Sequence, residues 1–289
     1  MNAVQTKYID ADGLRFFYRE AGPVDSPVLL ALHGYPSSSF QYRSLLAGLS
    51  NKYRVIAPDL PGFGFTVVPE ERKYEYTFDN IGKSVQAFVG ALGLTRYALY
   101  VFDYGAPIGW RLALARPEAV TGIISQNGNA FESGFGEFWG LLRPYWAEPD
   151  SKEKRDSIRF LTTFDVTKSQ YTTGEARPER IPPETYHLDQ ALLDRPGNAE
   201  IQLDLFLDYR HNVAAYPAVH AYFKKHQPPL LAVWGAGDEL FIPAGAEAFK
   251  EVLPDAKVVL IEGAGHFALE NHSVEVIKHV REFLGGLSG

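Results

Sequence analysis

Short apolar runs recur along this chain, and each gives way to a loop of Gly, Asp, Asn or Pro before a stretch with helical spacing begins. Residues 27–33, Tyr97–Phe102 and 229–234 are apolar over consecutive positions rather than alternating, and 53–57, 120–125 and Lys257–Ile261 read as further strands. A strand apolar at every position is buried on both faces, the condition of a parallel sheet covered by helices on each side. Helical spacing falls at 40–49, 77–92, 107–115, 244–252 and 273–284. The pattern predicts an α/β fold with a mostly parallel sheet flanked by helices. Ahead of it, two aromatic-rich runs flank Asp12-Gly13 and read as a hairpin. From residue 131 to 217 the rhythm breaks into irregular, aromatic and charged sequence, with helical pieces at 152–163 and 200–209. The expected organisation is a core of 1–130 and 218–289, interrupted by a largely helical cap of 131–217. Such a cap would lie over the carboxyl ends of the strands, where open α/β sheets bind ligands.

Composition narrows the chemistry. The chain has no cysteine, which excludes disulfides and thiolate catalysis. Its net charge is −7 without a basic cluster, so nucleic acid is not an expected partner. No apolar run reaches the roughly 20 residues that cross a bilayer. Residues 1–7 lack the apolar core of a secretory signal, and a cytoplasmic protein without a membrane partner is expected. The chain carries 19 Phe and 16 Tyr, a content suited to an apolar ligand pocket. There is no phosphate loop or dinucleotide fingerprint, and His187, His211, His220, His226, His272 and His279 show no metal-ligand spacing. Neither cofactor nor metal is expected.

The run from Ala98 to Gly109 ends its apolar part at Asp103, and Gly105-Ala106-Pro107 can open a helix. This is a strand–turn–helix with a carboxylate at the turn. The N-terminal amides of the helix favour the anion there. A carboxylate can displace a leaving group at saturated carbon and form an ester without first losing a proton. Taken alone, Asp103 reads equally as a helix cap. It is not alone, however. Asp238 follows the run 229–234, His266 follows Lys257–Ile261, and His33-Gly34-Tyr35-Pro36 closes the run 27–33. In a parallel sheet these segments converge on one edge. The order nucleophile, acid, histidine completes a triad, with Glu132 as the alternative acid.

On His33-Gly34-Tyr35-Pro36, Pro58-Asp59-Leu60-Pro61-Gly62-Phe63-Gly64, Asp103-Tyr104-Gly105, Gly237-Asp238 and Gly265-His266-Phe267, the chain resembles the α/β-hydrolase fold superfamily. The resemblance spans nearly the whole chain and points to the aspartate-nucleophile branch of epoxide hydrolases and haloalkane dehalogenases. It implies that Asp103 forms the ester and that His266, oriented by Asp238, activates water to hydrolyse it. The backbone N–H groups of Tyr35 and Tyr104 would form the oxyanion hole. Asp208-Tyr209-Arg210-His211-Asn212 resembles the Tyr-Arg segment of the epoxide hydrolase cap, which makes Tyr209 the ring-opening acid. Tyr145 is the second donor by this reading, with Tyr171, Tyr186 and Tyr216 as alternatives. Trp139, Trp146 and His33 are expected to contact substrate.

Several positions depart from the family pattern. Val101 and Phe102 stand where Gly and His are common before the nucleophile. The haloalkane dehalogenases resemble one another in an Asn and a Trp at the positions of Tyr35 and Tyr104, and fluoroacetate-type enzymes carry Arg at the latter. The expected activity is therefore opening of epoxides to diols. The alternatives are a dehalogenase of haloalkanes or haloacids, with Trp139 and Trp146 supplying halide-binding N–H groups, and a ligand-binding protein on a retired scaffold. The expected partner is a small apolar epoxide or halide. Monomer and homodimer both remain open.

Overall fold

A computed structural model describes residues 3–287. Met1 and Asn2, at the head of the stretch read as lacking a secretory core, lie outside the described residues, as do Ser288 and Gly289. Strands β1 (Gln5–Ala11) and β2 (Leu14–Ala21) form the hairpin, with Ala11 opposite Leu14. Asp12 and Gly13 both have positive φ, 54° and 72°, the backbone that matches a two-residue turn to strand twist.

The remaining strands are β3 (Val28–Leu32), β4 (Arg54–Pro58), β5 (Tyr97–Phe102), β6 (Val120–Gln126), β7 (Leu230–Gly235) and β8 (Lys257–Ile261). The eight strands run in the order β1-β2-β4-β3-β5-β6-β7-β8. From β4 to β8 every neighbouring pair is parallel, while β2 meets both β1 and β4 antiparallel. Alternate side chains serve different cores, as the twofold strand period requires. Leu99 and Val101 of β5 join one apolar cluster with Leu30, Leu32 and Trp234, and Ala98 and Tyr100 join another with Leu29, Ala31 and Val233.

Helices α1 (Arg43–Leu49), α2 (Phe78–Ala91) and α3 (Gly105–Ala115) follow β3, β4 and β5. The Thr77 side chain caps α2 by accepting from the Asn80 amide. Between β6 and β7 lie α4 (Arg143–Ala147), α5 (Lys152–Ser157), α6 (Phe164–Thr172), α7 (Glu184–Leu193) and α8 (Asn198–His226). The chain closes with α9 (Ala244–Ala248), α10 (Ala268–Asn271) and α11 (Ser273–Gly285).

The expected helices 40–49 and 244–252 are each an α-helix joined to a 3-10 turn, and two further helical expectations, between β6 and β7, differ more. The piece 152–163 is α5 followed by a separate 3-10 turn, Arg159–Thr162. The piece 200–209 is part of the 29-residue α8, which continues through Pro217 and so through the position where the cap was expected to end. Pro217 removes one N–H donor from the helix, but Tyr216, Val219, Tyr222 and Phe223 around it are buried. Packing, not propensity, sustains the helix there. Among the described residues no helix is long and apolar enough to cross a membrane.

Candidate active site

The turn between β5 and α3 is built from close backbone approach. Asp103 sits at φ 47°, a left-handed conformation that costs a non-glycine residue of order 1–3 kcal/mol. Neighbouring glycines make the turn possible. A Cβ on Gly34 would stand 2.2 Å from Asp103 Oδ1, and one on Gly105 would stand 2.0 Å from the Leu32 carbonyl oxygen. The bulk of Val101 is accommodated across the turn rather than within it. A Cβ on Gly109 would come within 2.5 Å of Val101 Cγ1, and one on Gly128 within 3.3 Å of Cγ2. Phe102 packs its ring 4.6 Å from the His266 imidazole and 4.8 Å from Phe267, so this departure from the usual His positions the base.

Asp103 is 6% exposed. Its Oδ1 accepts the Tyr35 backbone N–H at 2.6 Å. Burial lifts its pKa to about 6, against the opposing pull of His266 and of the Tyr104 and Tyr35 amides. Its Oδ2 lies 3.8 Å from His266 Nε2. On the other side of the ring, His266 Nδ1 meets Asp238 Oδ2 at 2.8 Å. Burial opposes charging of His266, but the carboxylates of Asp238 and Asp103 outweigh it and raise its pKa above the ordinary histidine value. Nε2 is buried with no hydrogen-bond partner, which leaves a basic nitrogen able to take a proton.

Asp238 is fully engaged. Its Oδ1 accepts the Leu240 and Phe241 amides at 2.8 and 3.1 Å. Its Oδ2 accepts a further bond from Asn127 Nδ2 at 2.7 Å. Asn127, at the end of β6 with φ 49°, also accepts the Gly235 amide at 3.2 Å. It ties β6 to the loop that carries the acid. Sequence reasoning missed this role. Its one signal was its place directly after a buried strand. Asn129 instead brackets Phe131 through both side-chain atoms. Glu132, the alternative acid, is exposed, and it is Asp238 that meets the histidine.

The other candidates divide clearly. His33 is fully buried. Its Nε2 accepts the Leu60 amide at 2.9 Å and its Nδ1 faces the Gly34 carbonyl at 3.0 Å, which fixes the tautomer. His33 therefore holds the turn that carries Gly34 and Tyr35 and has no nitrogen left to hydrogen-bond a substrate. Trp139 and Trp146 pack near Tyr209, at 4.4 and 6.4 Å between ring centres. Their indole N–H groups are spent on the Leu240 and Phe206 carbonyls, at 2.9 and 2.8 Å. Tyr145 OH accepts from Arg155 at 2.9 Å, inside an ion-pair group with Asp204 and Glu200. Tyr171 OH donates to Asp189, and its ring stacks 3.8 Å from Phe267. Tyr186 packs against Phe164 and Tyr171.

Tyr209, on α8, lies close enough to Asp103 to feel its charge. It is 1% exposed, and its hydroxyl makes no well-formed hydrogen bond, with the Tyr216 hydroxyl as a polar neighbour. Burial, then the neighbouring Tyr216 and the Asp103 carboxylate, push its pKa far up, so it stays protonated as a donor. A cavity of about 620 Å³ leads outward from His266 and Asp238. Phe138, Leu161, Val166, Leu240 and Ile242 line it, with the exposed Leu141 and Phe160. Its charged lining beyond the triad is Glu137 and Glu239, both exposed.

The chain belongs to the α/β-hydrolase fold family, whose model matches residues 27–273. It is 42% identical to an uncharacterized hydrolase of Saccharomyces cerevisiae over 93% of each chain. It is 36% identical to a haloalkane dehalogenase of Mycolicibacterium paratuberculosis, over 94% of this chain and 88% of that one. Among solved structures, the epoxide hydrolase CorEH superposes with a TM-score of 0.80 at 20% identity, covering 99% of this chain and 100% of its own.

Proposed function

We propose that this hydrolase opens neutral, apolar epoxides to diols through an alkyl ester on Asp103. The observation that carries the reading is the buried hydroxyl of Tyr209, near enough to Asp103 to feel its charge and without a well-formed hydrogen bond, while both nearby indole N–H groups are already bonded to backbone carbonyls. A departing alkoxide needs a proton, and a phenol supplies one. A departing halide needs only N–H or O–H donors around an anion.

In the first step an Asp103 carboxylate oxygen attacks a ring carbon. The C–O bond breaks, and the oxygen takes the proton of Tyr209. In the second, His266 Nε2 removes a proton from water as the hydroxide attacks Asp103 Cγ. The resulting oxyanion is held by the amides of Tyr35 and Tyr104, and collapse releases the diol. The imidazolium, stabilised by Asp238, returns its proton to the Tyr209 phenolate. The lining supports a neutral substrate, since a carboxylate-bearing haloacid would face Glu137 and Glu239 with no lysine or arginine beside it.

Similarity to a haloalkane dehalogenase supports halide release as the second reading. The test is to incubate the protein with terminal and aryl epoxides and with haloalkanes, following diol and halide together, with Asp103→Asn as control. Diol that disappears in the variant is expected. Halide without diol overturns the reading.

A further inference from the structure

Of the tyrosine hydroxyls around Asp103, three are bonded to the protein and three make no well-formed hydrogen bond. Tyr35 OH donates to the Leu161 carbonyl at 2.8 Å, Tyr145 OH is held by Arg155, and Tyr171 OH is bonded to Asp189. Tyr104, Tyr209 and Tyr216 keep buried hydroxyls without a hydrogen-bond partner. A buried O–H left unpaired is costly, and its retention at a site points to a ligand atom that completes it. Tyr216 has the side chains of Tyr209 and Asn129 as hydrogen-bonding neighbours and feels the charge of Glu132. Tyr104 and Tyr209 are both influenced by Asp103. The Tyr104 ring lies 5.8 Å from that of Tyr209 and 6.0 Å from that of Tyr35, with Phe78 at 4.9 Å behind it. Only 3% of Tyr104 is exposed, so its hydroxyl is shielded from bulk solvent.

We propose that Tyr104 is a catalytic residue, the second O–H donor to the oxygen that leaves carbon when Asp103 attacks. It rests on the epoxide reading and assigns to the core a role that the family resemblance placed in the cap, at Tyr145. As the ring C–O bond breaks, its electron pair collects on oxygen. Tyr209 gives that oxygen its proton, and Tyr104 hydrogen-bonds to it while keeping its own. Two donors aimed where charge develops act on ring opening alone, because ester hydrolysis develops its charge at the Tyr35 and Tyr104 amides instead. Tyr104 thus serves both half-reactions, by its hydroxyl in the first and its backbone in the second.

The experiment separates the two steps in single turnovers with styrene oxide. Ester formation is followed by intact-protein mass in a His266→Gln background, and ester hydrolysis in the otherwise native chain. Tyr104→Phe should slow ester formation roughly 10- to 100-fold and leave hydrolysis unchanged. Tyr104→His, which restores a ring donor, should recover part of the loss. The double variant with Tyr209→Phe should form ester more slowly than either single one. A Tyr104→Phe rate within about twofold of the parent overturns the proposal, as does equal slowing of both steps, which marks a distorted turn. If the parent forms ester from haloalkanes but from no epoxide, the epoxide reading itself fails and takes this proposal with it.

Discussion

The strand ends and the segment that roofs them are held by opposite means. At the strand ends nearly every polar atom is bonded. Asp238 accepts from two amides, Asn127 and His266, and His33 is bonded through both nitrogens. Asp59 binds the Ser39 and Phe65 amides, each at 2.7 Å. In the roof, position comes from stacked and tilted rings such as Trp139 on Tyr209, and the hydroxyls of Tyr209 and Tyr216 are left over; at the strand ends the Tyr104 hydroxyl is the exception. Hydrogen bonds fix a geometry to fractions of an ångström, which ester hydrolysis requires. Ring packing encloses a space and leaves free donors, which suits choice of leaving group. On the proposed function, the strand ends carry ester hydrolysis, and the roof, together with Tyr104, meets the leaving group.

Substitutions at the two regions sharpen or break this contrast. The largest effect is expected from His266→Gln, in which turnover should fall more than about 1,000-fold while one ester per chain accumulates. Diol released at the native rate would remove His266 from the second step.

Next comes the nucleophile's own electrostatics. A pKa lifted from 3.8 to about 6 means that the native state keeps a proton the unfolded chain has lost. Stability therefore declines as pH rises from about 4 to 6, and above 6 the ionised native state carries a burden of about 3 kcal/mol. Asp103→Asn should raise the melting temperature at pH 8 by roughly 5 °C and give no such gain at pH 4, as read by calorimetry. Ester formation by the native protein should fade as pH drops through about 6, because the protonated carboxyl does not attack. An Asp103→Asn melting gain that is the same at both pH values would show that the charge is not strained.

Asn127→Leu leaves Asp238 one donor short and should slow ester hydrolysis about 10-fold with little change in ester formation. Equal slowing of both would place Asn127 in general packing rather than in orientation of the acid. The smallest effect is expected at Trp139→Phe and Trp146→Phe, each under about threefold in turnover, since their N–H groups serve backbone carbonyls. A loss of 100-fold in either would return the indoles to the reacting centre and favour halide chemistry.

Much of the core was legible because its signals are local. The apolar runs, Asp12-Gly13 and the loops ending in Asp103, Asp238 and His266 state strand, turn and site within a few residues each, and parallel pairing does the rest by bringing all strand ends to one edge. The roof was legible only in its composition. Nothing local says that α8 continues through Pro217, that two indole N–H groups find carbonyls, or that Arg155 takes the Tyr145 hydroxyl. The sequence by itself determined the sheet, the order of the triad and the residue at the turn, since each follows from periodicity or from one residue's backbone preference. Only the tertiary structure decided which tyrosines keep a free hydroxyl and that Asn127 anchors the acid. A hydrogen bond between residues distant in the chain depends on how whole elements pack, and packing leaves no trace in the spacing of either partner.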